Sequence, residues 1–84
     1  MNYSIFILRR AQKELGAIPE KDYVRIKEAI LNLAKQPHPS GSSKLIGRDG
    51  WRLRVGKYRI IYEVDDSKQQ ILILHIGHRK DIYR

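Results

Sequence analysis

The sequence predicts an α+β domain with its elements in the order β-α-α-β-β-β. Three observations carry this. β-Branched and aromatic residues crowd the amino terminus, apolar and polar residues alternate from Trp51, and apolar residues recur every three or four positions between Ala11 and Leu33. Pro, Gly and Ser crowd into residues 37–50, between the helical stretch and the second extended one.

Residues 2–8, NYSIFIL, are β-branched and aromatic enough for a strand, with Tyr3, Ile5 and Ile7 on one face. RRAQKELGAI then switches to helix formers, with Ala11, Leu15 and Ile18 at helical spacing and Gly16 near the end. Pro19 suits the start of a second helix because its missing N–H is not needed there, and Glu20 and Asp22 suit the positive end of the helix dipole. Tyr23, Ile26, Ile30 and Leu33 continue the stripe, with Ala34 beside it, until Pro37 disfavours helical geometry in the residue ahead of it. So little chain joins the two helices that they are expected to pack as an antiparallel hairpin.

Residues 37–50, PHPSGSSKLIGRDG, read as a long loop of the kind that often serves function. From Trp51 the pattern is β: Trp51, Leu53 and Val55 alternate with Arg52 and Arg54, and Gly56-Lys57 makes a tight turn into YRIIYEV. VDDSKQQ is a second turn, in which Asp65 and Asp66 are turn formers rather than a catalytic carboxylate pair. ILILHIG is an unbroken apolar run, as expected of an interior strand covered on both faces. No repeat or linker divides the chain, so residues 1–84 are expected to form a single domain.

The absence of cysteine excludes a disulfide framework and a thiolate metal site. No apolar run is long enough to span a membrane and no export signal is visible, so a cytoplasmic protein is expected, without a membrane partner. Lys and Arg number 17 against 9 Asp and Glu, a net charge of +8 that favours a polyanion or an acidic protein as partner. The charge is concentrated: residues 44–59 hold Lys44, Arg48, Arg52, Arg54, Lys57 and Arg59, opposed only by Asp49.

Alternation puts Arg52 and Arg54 on the strand face opposite Trp51, Leu53 and Val55, and the tight turn brings Arg59 to the same side. Arg79 follows the last strand and joins them if that strand neighbours the one carrying Arg59. Like charges across strands are destabilising, and guanidinium forks phosphate through paired hydrogen bonds, so the cluster points to a phosphate site. A solvated basic face is the plainer alternative. His38, His75 and His78 lack metal-ligand spacing, so no metal or other cofactor is expected. No phosphate-cradling Gly motif or nucleophile elbow is present, which removes nucleotide hydrolases and esterases. Trp51 and Phe6 read as core residues, whereas Tyr83, beyond the last strand, is free to reach a ligand.

KLIGRDGWRLRVGKYRIIYEV (residues 44–64) and IGHRKDIYR (residues 76–84), in this order of elements, resemble the RelE family of the RelE/ParE toxin superfamily. The resemblance implies a four-stranded, mainly antiparallel sheet with the helices on one face. It also implies an mRNA interferase, a metal-independent endoribonuclease that cuts messenger RNA in the ribosomal A site and is held inactive by a small antitoxin. Operator DNA would be met only through the antitoxin complex. The implied reaction is attack of a ribose 2′-hydroxyl on the adjacent phosphate, leaving a 2′,3′-cyclic phosphate and a free 5′-hydroxyl. Carried over by position, the family's site falls on Arg52, Arg54, Arg59, Arg79 and Tyr83. On that reading the nearby cations Lys44, Arg48, Lys57 and Lys80 are expected to grip the RNA backbone. Where the family pattern has lysines, this chain has Arg52 and Arg54, and guanidinium does not give up its proton. His78, as an imidazole, is therefore a candidate base, with the ribosome as the other source. Two further readings remain: a ParE-like poison of DNA gyrase, which has the same fold but would lack the basic catalytic cluster, and a non-catalytic RNA-binding module in which the same arginines only grip phosphate.

Overall fold

The structure, a computed structural model, describes residues 2–78. Strand β1 (Ser4–Ile7) leads into helices α1 (Arg9–Gly16) and α2 (Glu20–Leu33), followed by β2 (Ser42–Lys44), β3 (Trp51–Val55), β4 (Tyr58–Asp65) and β5 (Gln70–His78). The strands form one sheet in the order β1-β5-β4-β3-β2; β1 runs parallel to β5 and every other pair is antiparallel. The expected order of elements holds, but the sheet has five strands. Residues 42–44 of the expected loop pair with β3, Ser43 opposite Arg52 and Lys44 opposite Trp51.

Pro19 stands immediately before α2, and its carbonyl accepts from the backbone N–H of Asp22 and Tyr23, so the proline closes the first turn without needing a donor of its own. The helices cover one face of the sheet. Ile26, Ile30 and Leu33 of α2 and Ala11 of α1 are buried together with Leu53, Ile60, Tyr62, Ile71, Ile73 and Ile76. Each such aliphatic side chain taken fully out of water contributes about 1.5–3 kcal/mol. Helix α1 lies chiefly along β5.

The other face of the sheet is covered by no element of the described chain. Leu72 and Leu74 of β5 are half-buried there, so the apolar run is interior by position in the sheet but covered on one face only. Phe6, opposite Leu72, is 50% exposed rather than part of the core, and that makes the open face partly apolar.

A bulge decides which residues of β5 reach that face. Ile61 pairs with His75 and Tyr62 with Ile73, leaving Leu74 as the extra residue. The two-residue alternation is shifted by one, so that Ile71, Ile73 and then Ile76 all pack into the core. Past the bulge the β1 side of β5 is vacant, and Glu14 of α1 fills it. Its Oε1 accepts from the Ile76 N–H at 2.9 Å. Its Oε2 stands 2.6 Å from His75 Nδ1. Glu14→Ala is expected to cost about 1–2 kcal/mol, the lower part of the range for a charge-assisted hydrogen bond because Glu14 is partly in water. Urea titration checks this as a lower midpoint with unchanged slope.

Candidate functional site

The hairpin that carries the arginines is closed by Gly56, whose φ of 59° suits a residue without a Cβ, and Lys57. The turn sets Arg54 directly opposite Arg59 and Arg52 opposite Ile61, on the open face. Arg52, Arg54 and Arg59 line one hollow of about 300 Å³, walled on its outer side by Gly41, Ser42 and Ser43. Strand β2 fixes that wall: the Arg54 N–H donates to the Gly41 carbonyl at 3.2 Å, and Arg52 Nε donates to Ser43 Oγ at 2.9 Å. Ser43, invisible to charge-based reading, therefore holds one guanidinium in place.

Arg59 is the most enclosed of the three, 8% exposed, with its Nη1 donating to the Tyr58 carbonyl at 3.3 Å. Two guanidiniums facing each other across a ladder repel, and a nearly buried one loses most of its hydration. An anion seated between them relieves both costs. Oxygen atoms of a phosphate match the fork geometry of guanidinium, which remains protonated at neutral pH.

The remaining expected site residues divide. Lys57 sits on the turn beside Arg59, while Lys44 and Arg48 line a neighbouring cavity. His78 pairs with Tyr58, and the two rings meet edge-on at 5.8 Å between centroids. Tyr58 packs against the core, so His78 belongs to the helix-covered face and not to the face of the arginines. Gly77, not His78, stands opposite Arg59. Arg79, Lys80 and Tyr83 lie outside the described residues.

The open face is electrically polar along β4. Arg59 lies near one end, Ile61 follows, and Glu63 and Asp65 occupy the other end. There Asp49, Glu63, Asp65 and Asp66 border a separate hollow of about 910 Å³. The Asp65 carboxylate accepts from Ser67 Oγ at 2.7 Å and from the Lys68 N–H at 3.0 Å, which hold its pKa below the ordinary value and account for it as a turn residue. Tyr3 donates to Asp66 at 2.7 Å, and that bond raises the tyrosine's pKa.

Among the described residues, no group of His, Asp and Glu side chains could hold a metal ion, and no helix is long and apolar enough to cross a membrane.

The family profile described as ParE toxin of type II toxin-antitoxin system, parDE, matches residues 5–83. Toxin RelG of Mycobacterium tuberculosis is 31% identical, with 100% of this chain and 99% of that protein covered. Toxin RelE of the same organism is 31% identical, with 98% of this chain and 87% of the relative covered. Among solved structures, a chain of the archaeal RelE-RelB complex from Pyrococcus horikoshii OT3 is 32% identical and matches with a TM-score of 0.85, covering 96% of this chain and 99% of that one.

Proposed function

The chain belongs to the RelE/ParE family of type II toxin-antitoxin toxins, and on that premise we propose that it is a ribosome-dependent messenger RNA endoribonuclease restrained by a cognate antitoxin. The single observation that carries the reading is the hollow shared by Arg52, Arg54 and Arg59. In the reaction the ribose 2′-oxygen attacks the adjacent phosphorus as its proton departs. The bond from phosphorus to the 5′-oxygen breaks, the leaving oxygen gains a proton, and a 2′,3′-cyclic phosphate remains. Charge builds on the non-bridging oxygens between substrate and products, and donors already fixed around that point lower the barrier by about 3–4 kcal/mol each.

Arg59, enclosed and opposite Arg54, is the main stabiliser of that charge. Arg52, steadied by Ser43, orients the phosphate. Guanidiniums do not accept protons at neutral pH, so the 2′-hydroxyl proton passes to another group. His78, packed on Tyr58, has no part in that transfer in this mechanism. Arg79 and Tyr83 keep the roles the family pattern assigns them: Arg79 as a further phosphate donor, supported by Gly77 standing opposite Arg59, and Tyr83 as a base-stacking or hydroxyl-orienting group. Lys44, Arg48, Lys57 and Lys80 add salt-sensitive grip on the backbone. The RelE-RelB complex among the similar structures supports an antitoxin as partner, and the net charge of +8 suits one that is acidic where it covers the hollow.

The matching profile bears the name of ParE, which makes gyrase poisoning the competing activity. Mapping RNA ends in cells after induction separates the two. New ends at in-frame codon positions are expected; intact messengers with broken DNA would establish gyrase poisoning instead.

A further inference from the structure

Next to the arginine hollow, the open face holds a second cavity of about 730 Å³, a size ordinary for a small-ligand site. The two cavities share Ser43 and Arg52 as a common wall. Its floor is apolar: Ile61, 7% exposed, and the bulge residue Leu74. Its rim is cationic, with Arg10 from α1, whose Nε meets the Glu14 carboxylate at 3.4 Å, on one side and Arg48 from the loop on the other, and no acidic residue lines the cavity itself. Ile46, on the loop that borders the cavity, is 99% exposed, a large apolar side chain left entirely in water. His75 also lines the cavity, its ring fixed between the Glu14 carboxylate and Arg10 Nη2 at 3.5 Å from Nε2.

An apolar floor, an aromatic ring and a rim richer in cations than in acids form a place for a flat, π-faced group carried on a polyanion. We propose that this cavity is a nucleobase subsite, taking the base of a nucleotide that neighbours the phosphate held by Arg52, Arg54 and Arg59. The inference rests on the ribonuclease reading of the arginine hollow. The base lies on Ile61 and Leu74, Ile46 covers it from the loop, and Arg10 and Arg48 meet the flanking phosphates. The bulge has a purpose here, since it turns His75 as well as Leu74 toward the cavity. An acidic, apolar peptide segment is the alternative occupant; it would use the rim and the floor without any dependence on nucleobases.

The test uses short RNAs with a 2′-deoxy sugar at the position that the wild-type toxin cuts on programmed ribosomes. In these RNAs each flanking nucleotide is made abasic in turn. Binding to the antitoxin-free protein is followed by fluorescence anisotropy for wild type, Leu74→Asp and Ile46→Ser. One abasic position is expected to weaken wild-type binding about tenfold, through loss of the apolar contact between the base and the Ile61 and Leu74 side chains. That penalty should vanish in Leu74→Asp and shrink in Ile46→Ser, whose exposed side chain is not needed for folding. If no abasic position costs more than twofold, or if the penalty is the same in all three proteins, the subsite is refuted. Should binding and cleavage of the intact RNA still depend on Arg59 in that case, the ribonuclease reading survives alone; should neither occur, both are refuted.

Discussion

Arg59→Ala is expected to relieve growth arrest and to lower messenger cleavage about 10²- to 10³-fold, the loss found when one preorganised donor to a developing oxyanion is removed. What distinguishes this expectation from ordinary mutational damage is the accompanying stability. Arg59 is 8% exposed and faces Arg54 directly across the ladder. Removing it relieves a like-charge pair, a gain of about 0.2–1 kcal/mol, against the loss of packing by its aliphatic stem. The two nearly cancel, so the melting temperature should change by no more than a few degrees while activity collapses. Antitoxin copurification should remain nearly intact. Arg59→Lys should fall between, keeping the charge but not the two-pronged geometry. A variant with alanine at this position that still arrests growth fully would remove Arg59 from the site.

The largest effect on stability should come from Tyr62→Ala. Tyr62 is fully buried among the core isoleucines, and its hydroxyl donates to the Pro37 carbonyl at 2.8 Å, tying the root of the segment that carries β2. Truncating a buried aromatic side chain costs about 3–5 kcal/mol, much of the 5–15 kcal/mol that holds a domain folded. At this chain length each kcal/mol is worth about 4–8 °C in melting temperature. Tyr62→Phe isolates the hydroxyl and should cost about 1 kcal/mol.

Burial raises the Tyr62 pKa above the ordinary 10.0. The unfolded chain therefore releases this proton first as the pH climbs. The contribution of Tyr62 is fully present below pH 10.0 and is lost as the pH rises through the folded-state value. Thermal melts at neutral pH and in alkali should show Tyr62→Phe losing less stability across that interval than wild type.

The strands and helices were legible because their faces are chemically two-sided. Ile26, Ile30 and Leu33 repeat at helical spacing and are buried, and Trp51, Leu53 and Val55 alternate with arginines, Leu53 buried and its two neighbours packed partly buried against the core. The arginine hollow followed from the same alternation plus one tight turn. Strand β2 was not legible, because Ser42–Lys44 has no β-forming composition and becomes a strand only by pairing with β3. That omission hid Ser43 and the outer wall of the hollow. The bulge at Leu74 was equally silent. Counted by twos from Ile71, His78 falls on the face of the arginines; the extra residue moves it to the face of Tyr58. The expectation that Phe6 is core failed for a related reason, since both faces of β1 are apolar and only one meets the helices.

End-group analysis of RNA cut by the purified toxin on programmed ribosomes tests most directly whether the guanidinium hollow drives attack by the 2′-oxygen. The expected products carry a 2′,3′-cyclic phosphate and a free 5′-hydroxyl, with the yield from Arg59→Ala lower by about 10²- to 10³-fold and no product from RNA with a 2′-deoxy sugar at the cut. Fragments bearing a 5′-phosphate, or cleavage of the deoxy-substituted strand, would contradict it.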